Sequence, residues 1–586
     1  MTVSELESVR PAAARTVSVR YAGGEQRHGP VTMGQANMIR CILRDDPTHI
    51  NIHDVWPVPP GTGLEAVIDA LRALVVRHEG LRTTFPARPD GPPQEQRVAA
   101  EGAFTVTVLD HESLPGDPAP YAESVARGAR AGRFRLDRDF PLRVTLIARG
   151  GEPLFVALAA SHAVTDGSAL GVLREEWLAL LAGGSPPPLA TLTPLDLADE
   201  EATPAGLRRS EASLRYWERI MRTGPQAMFA EPGAAGTDVR TPQLTLRSRR
   251  GAEALARVAD RTGAVPSTVL LTAWCTLIAH RTGQDACVVA VPTSNRFVSL
   301  LARSVNTLSQ DSLLCLDVRQ PSFDALLRRA WGAALSAYRH SRFDALALWE
   351  MIGRVGFERG SNFARDVVFN DVSRLPSAPT APAATAGSPG PELELTRGPD
   401  QVLPTRALTF VYETDPLLRL SMWADPALFP GDRAEAFLTG LVLLLEAAAA
   451  DDVPLSSLTE VTGVRPVERA GDWRRVDNCW VSPAAVAEAL SRVLDGVPVH
   501  IAVEGPDPAG RSVLTAYITA GTTPLSPVQA HAALMEALPG RPGVLAPHRY
   551  VIVDDPPSRA GDDGARFGRR ILAEGDGRNR PISDDH

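Results

Sequence analysis

Leu154-Phe155-Val156-Ala157-Leu158-Ala159-Ala160 runs directly into Ser161-His162-Ala163-Val164-Thr165-Asp166-Gly167, and then into Ser168-Ala169-Leu170-Gly171-Val172-Leu173-Arg174-Glu175-Glu176-Trp177. The first run is apolar and of strand length, the second is a short polar turn, and the third has helical composition. Strand, turn and helix make a good mount for chemistry: the strand fixes the backbone, and the turn exposes a side chain at its end. Histidine takes up and returns a proton near neutral pH, which makes His162 a candidate acid–base group.

The bulk composition bounds what such a site can do. The chain has 586 residues, enough for several domains, with 44% hydrophobic and 22% charged residues, as in globular proteins. All 60 Lys+Arg residues are arginine, so chemistry through a lysine amine is excluded. A net charge of −9 and the lack of a basic stripe argue against nucleic-acid binding. The five cysteines are scattered, with no Cys-x-x-Cys pair, and signal neither zinc nor a disulfide framework. Reduced thiols and the absence of a signal-like apolar N-terminus point to a cytoplasmic protein. The apolar stretch from Phe437 to Ala450 is short and carries Glu446, so it reads as a buried helix and not a membrane span.

Thr32 is a plausible N-cap for a helix running to Arg44, with Gln35 three residues on. Leu64 to His78 is amphipathic, with Leu64, Val67, Ile68, Leu71, Leu74 and Val75 at helical spacing. Arg77-His78-Glu79-Gly80-Leu81-Arg82-Thr83-Thr84-Phe85 follows, read as a helix end with Gly80 as its C-cap and a strand from Leu81. His78 reads as structural, beside the last helical carbonyls. Strands and helices alternate through residue 185, and the second half repeats the strand, helix, strand, loop order.

Several of these segments together resemble the condensation domains of nonribosomal peptide synthetases. The central turn is similar to their His-His-x-x-x-Asp-Gly motif: His162, Asp166 and Gly167 match its second His, its Asp and its Gly, and Ser161 replaces the first His. Arg77 to Phe85 matches Arg-His-Glu-x-Leu-Arg-Thr-x-Phe, and Val305-Asn306-Thr307-Leu308 matches Val-Asn-Thr-Leu. The resemblance covers about residues 28 to 460. It implies an α/β, or α+β sandwich, fold of two chloramphenicol-acetyltransferase-like lobes in a V with a tunnel between them. Residues 1–27 are then a flexible leader, 28–200 the first lobe and 201–465 the second.

The tail reads differently. Residues 470–575 resemble the small α+β C-terminal subdomain of adenylation enzymes: Val481 to Leu490 is similar to Val-Ser-Pro-x-Glu-Val-Glu-x-x-Leu, with Ala485 and Ala487 where the pattern has Glu, and Pro547 to Val553 resembles a later strand. Where that family has its lysine, this chain has Arg566, which does not substitute for a lysine point charge. No AMP-binding core appears, so the tail is expected to serve as a structural remnant or as a docking surface for a carrier or other synthetase subunit. Residues 576–586 are expected to fray.

The resemblance implies that His162 orients or deprotonates a nucleophile attacking an acyl thioester. Asp166 and Arg296 are implied to pair across the lobes, Gly167 to keep the tunnel clear, Ser161 to be structural, and Asn370 to face the tunnel. No cofactor or metal bound by the chain is implied; substrates arrive on the phosphopantetheine arms of acyl or peptidyl carrier proteins. The product is an amide or an ester. Two other readings fit the residues: a non-catalytic scaffold that recruits a carrier or partner enzyme, and an acyltransferase using coenzyme A or a free small acceptor.

Overall fold

Strand β8 (Glu152–Ala160) ends where the apolar run ends, and the helix Gly167–Leu181 begins at the glycine. The computed structural model describes residues 13–114, 116–234, 236, 239–375, 391–505, 512–521, 524–554 and 570–578. The first lobe is built on five strands, in the order β1-β6-β7-β8-β3. They are β1 (Ala13–Ala22), β3 (Ile52–Pro57), β6 (Glu101–His111), β7 (Leu142–Arg149) and β8. Only β6 and β7 pair in parallel. Val106, Leu146, Val156 and Leu158 of the sheet pack with Leu71 and Leu74 of the helix Leu64–Arg77 and with Leu170, Leu173 and Trp177 of the helix behind the central turn. A small sheet, β2 (Arg27–Pro30), β5 (Glu95–Val98) and β4 (Thr83–Thr84), lies alongside.

The second lobe carries seven strands in the order β11-β10-β12-β14-β15-β9-β13. Their ranges are β9 (Arg240–Ser248), β10 (Ala286–Thr293), β11 (Gln310–Asp317), β12 (Val367–Asp371), β13 (Glu394–Val402), β14 (Ala407–Glu413) and β15 (Leu418–Ala424). The helix Pro266–Thr282 is buried along nearly its whole length in this core. The apolar stretch before residue 450 is likewise a core helix, Arg433–Ala450, with Phe437, Leu441 and Val442 fully enclosed. Among the described residues no single helix is long and apolar enough to cross a membrane.

The tail forms its own core. A hairpin, β16 (Arg474–Val476) and β17 (Cys479–Val481), leads to a sheet in the order β18 (Val499–Glu504), β19 (Val513–Thr519), β20 (Arg549–Val553), β21 (Ile571–Gly575). The helices Pro483–Val493 and Pro527–Ala537 pack on it. The unit is docked on the second lobe: the Gln226 amide donates to the carbonyls of Pro542 and Val544, both at 2.8 Å, and the Trp480 indole N–H donates to Gly283 O at 2.9 Å.

Several expectations are corrected. The leader is not flexible throughout: Ala13–Ala22 pairs residue for residue with β6, because alternating Val17, Val19 and Tyr21 have a core to face. Residues 1–12 lie outside the described residues. The limits at 27/28 and 200/201 fall inside elements, strand β2 and the helix Pro194–Ala202. His78, not Gly80, ends its helix, and Glu79–Arg82 is a 3-10 turn with the strand starting at Thr83. Arg578 is anchored, its Nε donating to Glu358 O at 2.7 Å, so the frayed end does not begin at 576. Residues 579–586 and Arg566 lie outside the described residues.

Candidate active site

The central turn is held by its neighbours on both lobes. Asp166 is the N-cap of the helix Gly167–Leu181, with Oδ1 accepting the Ala169 N–H at 2.9 Å. Its Oδ2 accepts from Arg296 Nη1 at 2.7 Å, from the Leu308 N–H at 3.0 Å and from Ser309 Oγ at 3.4 Å. Asp166 is 1% exposed. Burial alone would raise its carboxyl; the Arg296 charge and hydrogen bond, with the Leu308 and Ala169 amides, outweigh burial and leave it below the ordinary carboxylate value. Arg296 also donates to the carbonyls of Ser294, Ser304 and Asn306, at 3.2, 2.9 and 3.3 Å. Its backbone is set by Asn295, which sits at φ 57°, in the left-handed region. That conformation is secured by the Asn295 side chain, which donates to Leu308 O at 2.9 Å and accepts from Ser341 Oγ at 2.5 Å. The pair joins the ends of β8 and β10, both interior strands.

His162 is half-buried. Its Nδ1 lies 2.8 Å from the carbonyl oxygen of Thr165. A carbonyl only accepts, so Nδ1 carries the hydrogen and Nε2 is the unprotonated nitrogen. Nε2 has no hydrogen bond among the described residues, while Thr307 Oγ1 of the second lobe stands 3.4 Å from Nδ1. Burial pushes the imidazole below its ordinary 6.5, against the opposing pull of Asp166. The ring is therefore a neutral base with a defined tautomer.

The remaining expected residues are placed as follows. Ser161 is buried, its N–H donating to Pro141 O at 2.9 Å and its Oγ accepting weakly from the Ala163 N–H at 3.4 Å. Gly167 opens the helix. Asn370 is half-buried on β12, and among the described residues no hydrogen bond joins it to the turn.

Two features were not legible beforehand. The strip Ser304–Leu308 reaches across from the second lobe: Val305 is part of the first lobe's core. A Cβ on Gly34 would stand 2.3 Å from Thr307 O, and one on Gly80 2.7 Å from Val305 O, so both glycines are there to let this backbone in. Val305-Asn306-Thr307-Leu308 was visible as a motif, but not as a lobe contact. The second is a buried carboxylate, Glu176. It accepts from His78 Nε2 at 2.8 Å and Arg77 Nε at 2.9 Å, and Arg303 Nη2 of the second lobe is 3.3 Å away. His78 thus serves a carboxylate and not the helix-end carbonyls. Burial would raise Glu176, but His78 and Arg77 outweigh it and bring its carboxyl down to about 2. Among the described residues no group of three or more His, Cys, Asp or Glu is placed to hold a metal ion.

The junction of the two sheet-and-helix lobes thus carries a histidine on a turn locked by a cross-lobe ion pair, and comparison with known proteins defines the class. The family model for the condensation domain matches residues 25–367, and the chain belongs to that family. It is 31% identical over 291 residues to phosphinothricin tripeptide synthetase PhsC of Streptomyces viridochromogenes, covering 45% of this chain and 26% of that protein. It is 26% identical over 426 residues to surfactin synthase subunit 1 of Bacillus subtilis, covering 68% of this chain and 11% of that protein. The chain thus spans only a minor part of the length of these relatives. In fold it is similar to the SgcC5 protein of Streptomyces globisporus, with a TM-score of 0.56 and 19% identity over 73% of this chain and 100% of that one. It is also similar to the first condensation domain of the calcium-dependent antibiotic synthetase, with a TM-score of 0.55 and 21% identity over 74% of this chain and 98% of that one. Condensation domains are acyltransferases that form amide or ester bonds in nonribosomal peptide synthesis, acting on phosphopantetheine-tethered substrates with carrier domains.

Proposed function

We propose that this chain transfers an acyl or peptidyl group from a carrier-tethered thioester to an amine, or to a hydroxyl, in natural-product biosynthesis. The observation that carries the reading is the fixed, neutral His162, with Nδ1–H tied to the Thr165 carbonyl and Nε2 left as the base. As the amine adds to the thioester carbonyl, Nε2 accepts its proton. The tetrahedral intermediate then collapses, the C–S bond breaks, and the same proton passes from Nε2 to the departing sulfur. A neutral amine needs little activation, so positioning supplies much of the effect; a hydroxyl depends more on the base.

In this reading two phosphopantetheine arms meet at His162 in a tunnel between the lobes, with Asn370 lining it and Gly167 leaving it clear. The chain itself binds no cofactor, and its partners are donor and acceptor carrier proteins. The reaction runs in the cytoplasm, in keeping with five free thiols. The tail is read as a degenerate adenylation-type subdomain that serves as a docking surface on the second lobe, in keeping with its lobe contacts.

The test is His162→Ala with carrier-loaded donor and acceptor. Transfer should fall by roughly 10²–10⁴-fold, the range of a positioned general base. Unchanged transfer overturns the base role, and carrier binding without transfer in the unaltered chain makes it a scaffold. In the unaltered chain the acid decline of the rate should have its midpoint below 6.5, because burial lowers the imidazole from its ordinary value.

A further inference from the structure

We propose that Thr307 is a positioning residue that makes the tautomer of His162 conditional on docking of the second lobe. The inference rests on His162 being the base, and deepens it. Thr307 is fully buried, and its hydroxyl oxygen stands 3.4 Å from His162 Nδ1, on the opposite side of the lobe junction in sequence from the turn that carries the histidine. With Nδ1–H donating to the Thr165 carbonyl at 2.8 Å, the Thr307 hydroxyl at 3.4 Å can meet that N–H only as a second, longer acceptor, and it comes from the other lobe. Of the two, only the Thr307 hydroxyl is removed when the lobes separate.

The strip bearing Thr307 is held to the first lobe at successive residues. Ser304 Oγ donates to Leu192 O at 2.9 Å. Val305 is buried in the first lobe's core. Thr307 O lies against Gly34 so closely that no Cβ fits there. The Leu308 N–H donates to Asp166 Oδ2 at 3.0 Å. Arg296 closes the loop by donating from Nη2 to the Ser304 and Asn306 carbonyls while its Nη1 holds Asp166. The strip, the turn and the cross-lobe ion pair thus form one bonded ring. A neutral imidazole whose Nδ1–H loses an acceptor gains population of the other tautomer, in which Nε2 carries the hydrogen and cannot accept a proton. Thr307 holds the ring in the competent form without touching substrate.

The test is imidazole NMR on the full chain carrying 15N-labelled histidine, with the His162 signal assigned by its loss in His162→Gln. It needs no substrate, so it stands whatever the fate of the proposed transfer reaction. Thr307→Val keeps the shape and removes the hydroxyl; Thr307→Ser keeps the hydroxyl and removes the methyl. The valine variant should raise the Nε2–H to Nδ1–H ratio by roughly threefold to tenfold, the span of one neutral hydrogen bond. The serine variant should match the unaltered chain. The opposite order, a displaced His162 signal in serine and an unchanged one in valine, overturns the proposal and assigns Thr307 to packing. A displaced signal in a folded serine variant overturns it even if the valine variant does not fold.

Discussion

Asp166 and Arg296 meet across the lobe junction at 2.7 Å, with side-chain exposures of 1% and 8%. Between them they collect three further donors to the carboxylate and three backbone carbonyls around the guanidinium. Both carboxylate oxygens and both terminal guanidinium nitrogens are satisfied, which is what makes two buried charges tolerable, while the Arg296 Nε–H is buried without a hydrogen-bond partner among the described residues. It holds the turn that carries His162.

Removing one partner leaves the other charge buried alone. Arg296→Met should cost about 3–5 kcal/mol of stability, read as a lowered urea midpoint. Arg296→Lys should recover little of it, because one ammonium cannot reach Asp166 and the Ser304 and Asn306 carbonyls together. Asp166→Asn should cost less than Arg296→Met, since asparagine remains a competent N-cap. A midpoint for Arg296→Met equal to the unaltered chain would show the pair to be dispensable.

Gly34→Ala tests the close approach of the lobes. The new methyl would sit 2.3 Å from Thr307 O, and both neighbours are backbone, so something must move. A destabilisation of roughly 1–3 kcal/mol is expected, with a shift of the His162 imidazole signal. Gly332→Ala is the control: it lies within the helix Phe323–Arg339 with nothing within 4 Å of the new Cβ. It should stabilise by about 0.5–1 kcal/mol through helix propensity. Equal effects of the two changes would refute the steric argument.

These two cases show where the sequence was readable. The strand, turn and helix around His162, the Thr32 capping box with Gln35, and the amphipathic helix after Leu64 came from local periodicity and cap chemistry, which the fold did not override. Of Ala13–Ala22 only Val17 to Arg20 reads as a short strand from the sequence; the rest falls in the expected leader because an edge strand has no local signature beyond alternation, and its partner lies near residue 105. Glu176 was missed for a related reason. Within its helix it is one acid beside another, Glu175, and only the fold turns it inward to His78 and Arg77 while Glu175 stays exposed. Gly80 was misread as a cap because a glycine after a helix fits that role; what requires it is the Val305 carbonyl from the other lobe.

Glu176 makes an acid-stability prediction with a definite sign. Its folded carboxyl is at about 2, below its ordinary 4.5, so its contribution is present above 4.5 and is lost as pH falls toward 2. Glu176→Gln should therefore flatten the stability profile over that window while lowering stability at neutral pH. Parallel acid limbs for the two proteins would exclude Glu176 as the titrating group.

The tail is tied down through Gln226, which is 3% exposed and gives its amide nitrogen to the tail while its amide oxygen stays within the second lobe. Its Nε2 donates to the Pro542 and Val544 carbonyls at 2.8 Å each, and its Oε1 accepts the Asn362 N–H at 3.1 Å. Gln226→Ala removes one partner from each of these and leaves the others unpaired under a docked surface. Each unpaired buried group costs about 1–3 kcal/mol, so tail opening should become easier by at least that much. Hydrogen exchange should accelerate in the hairpin Arg474–Val481 and around Val544, where the lobe contacts are made, and remain slow in β10, whose core the tail does not enter. Amide protection of the hairpin unchanged in Gln226→Ala would mean that the remaining contacts, such as Trp480 on Gly283 and Ala546 on Gly360, suffice to hold the tail.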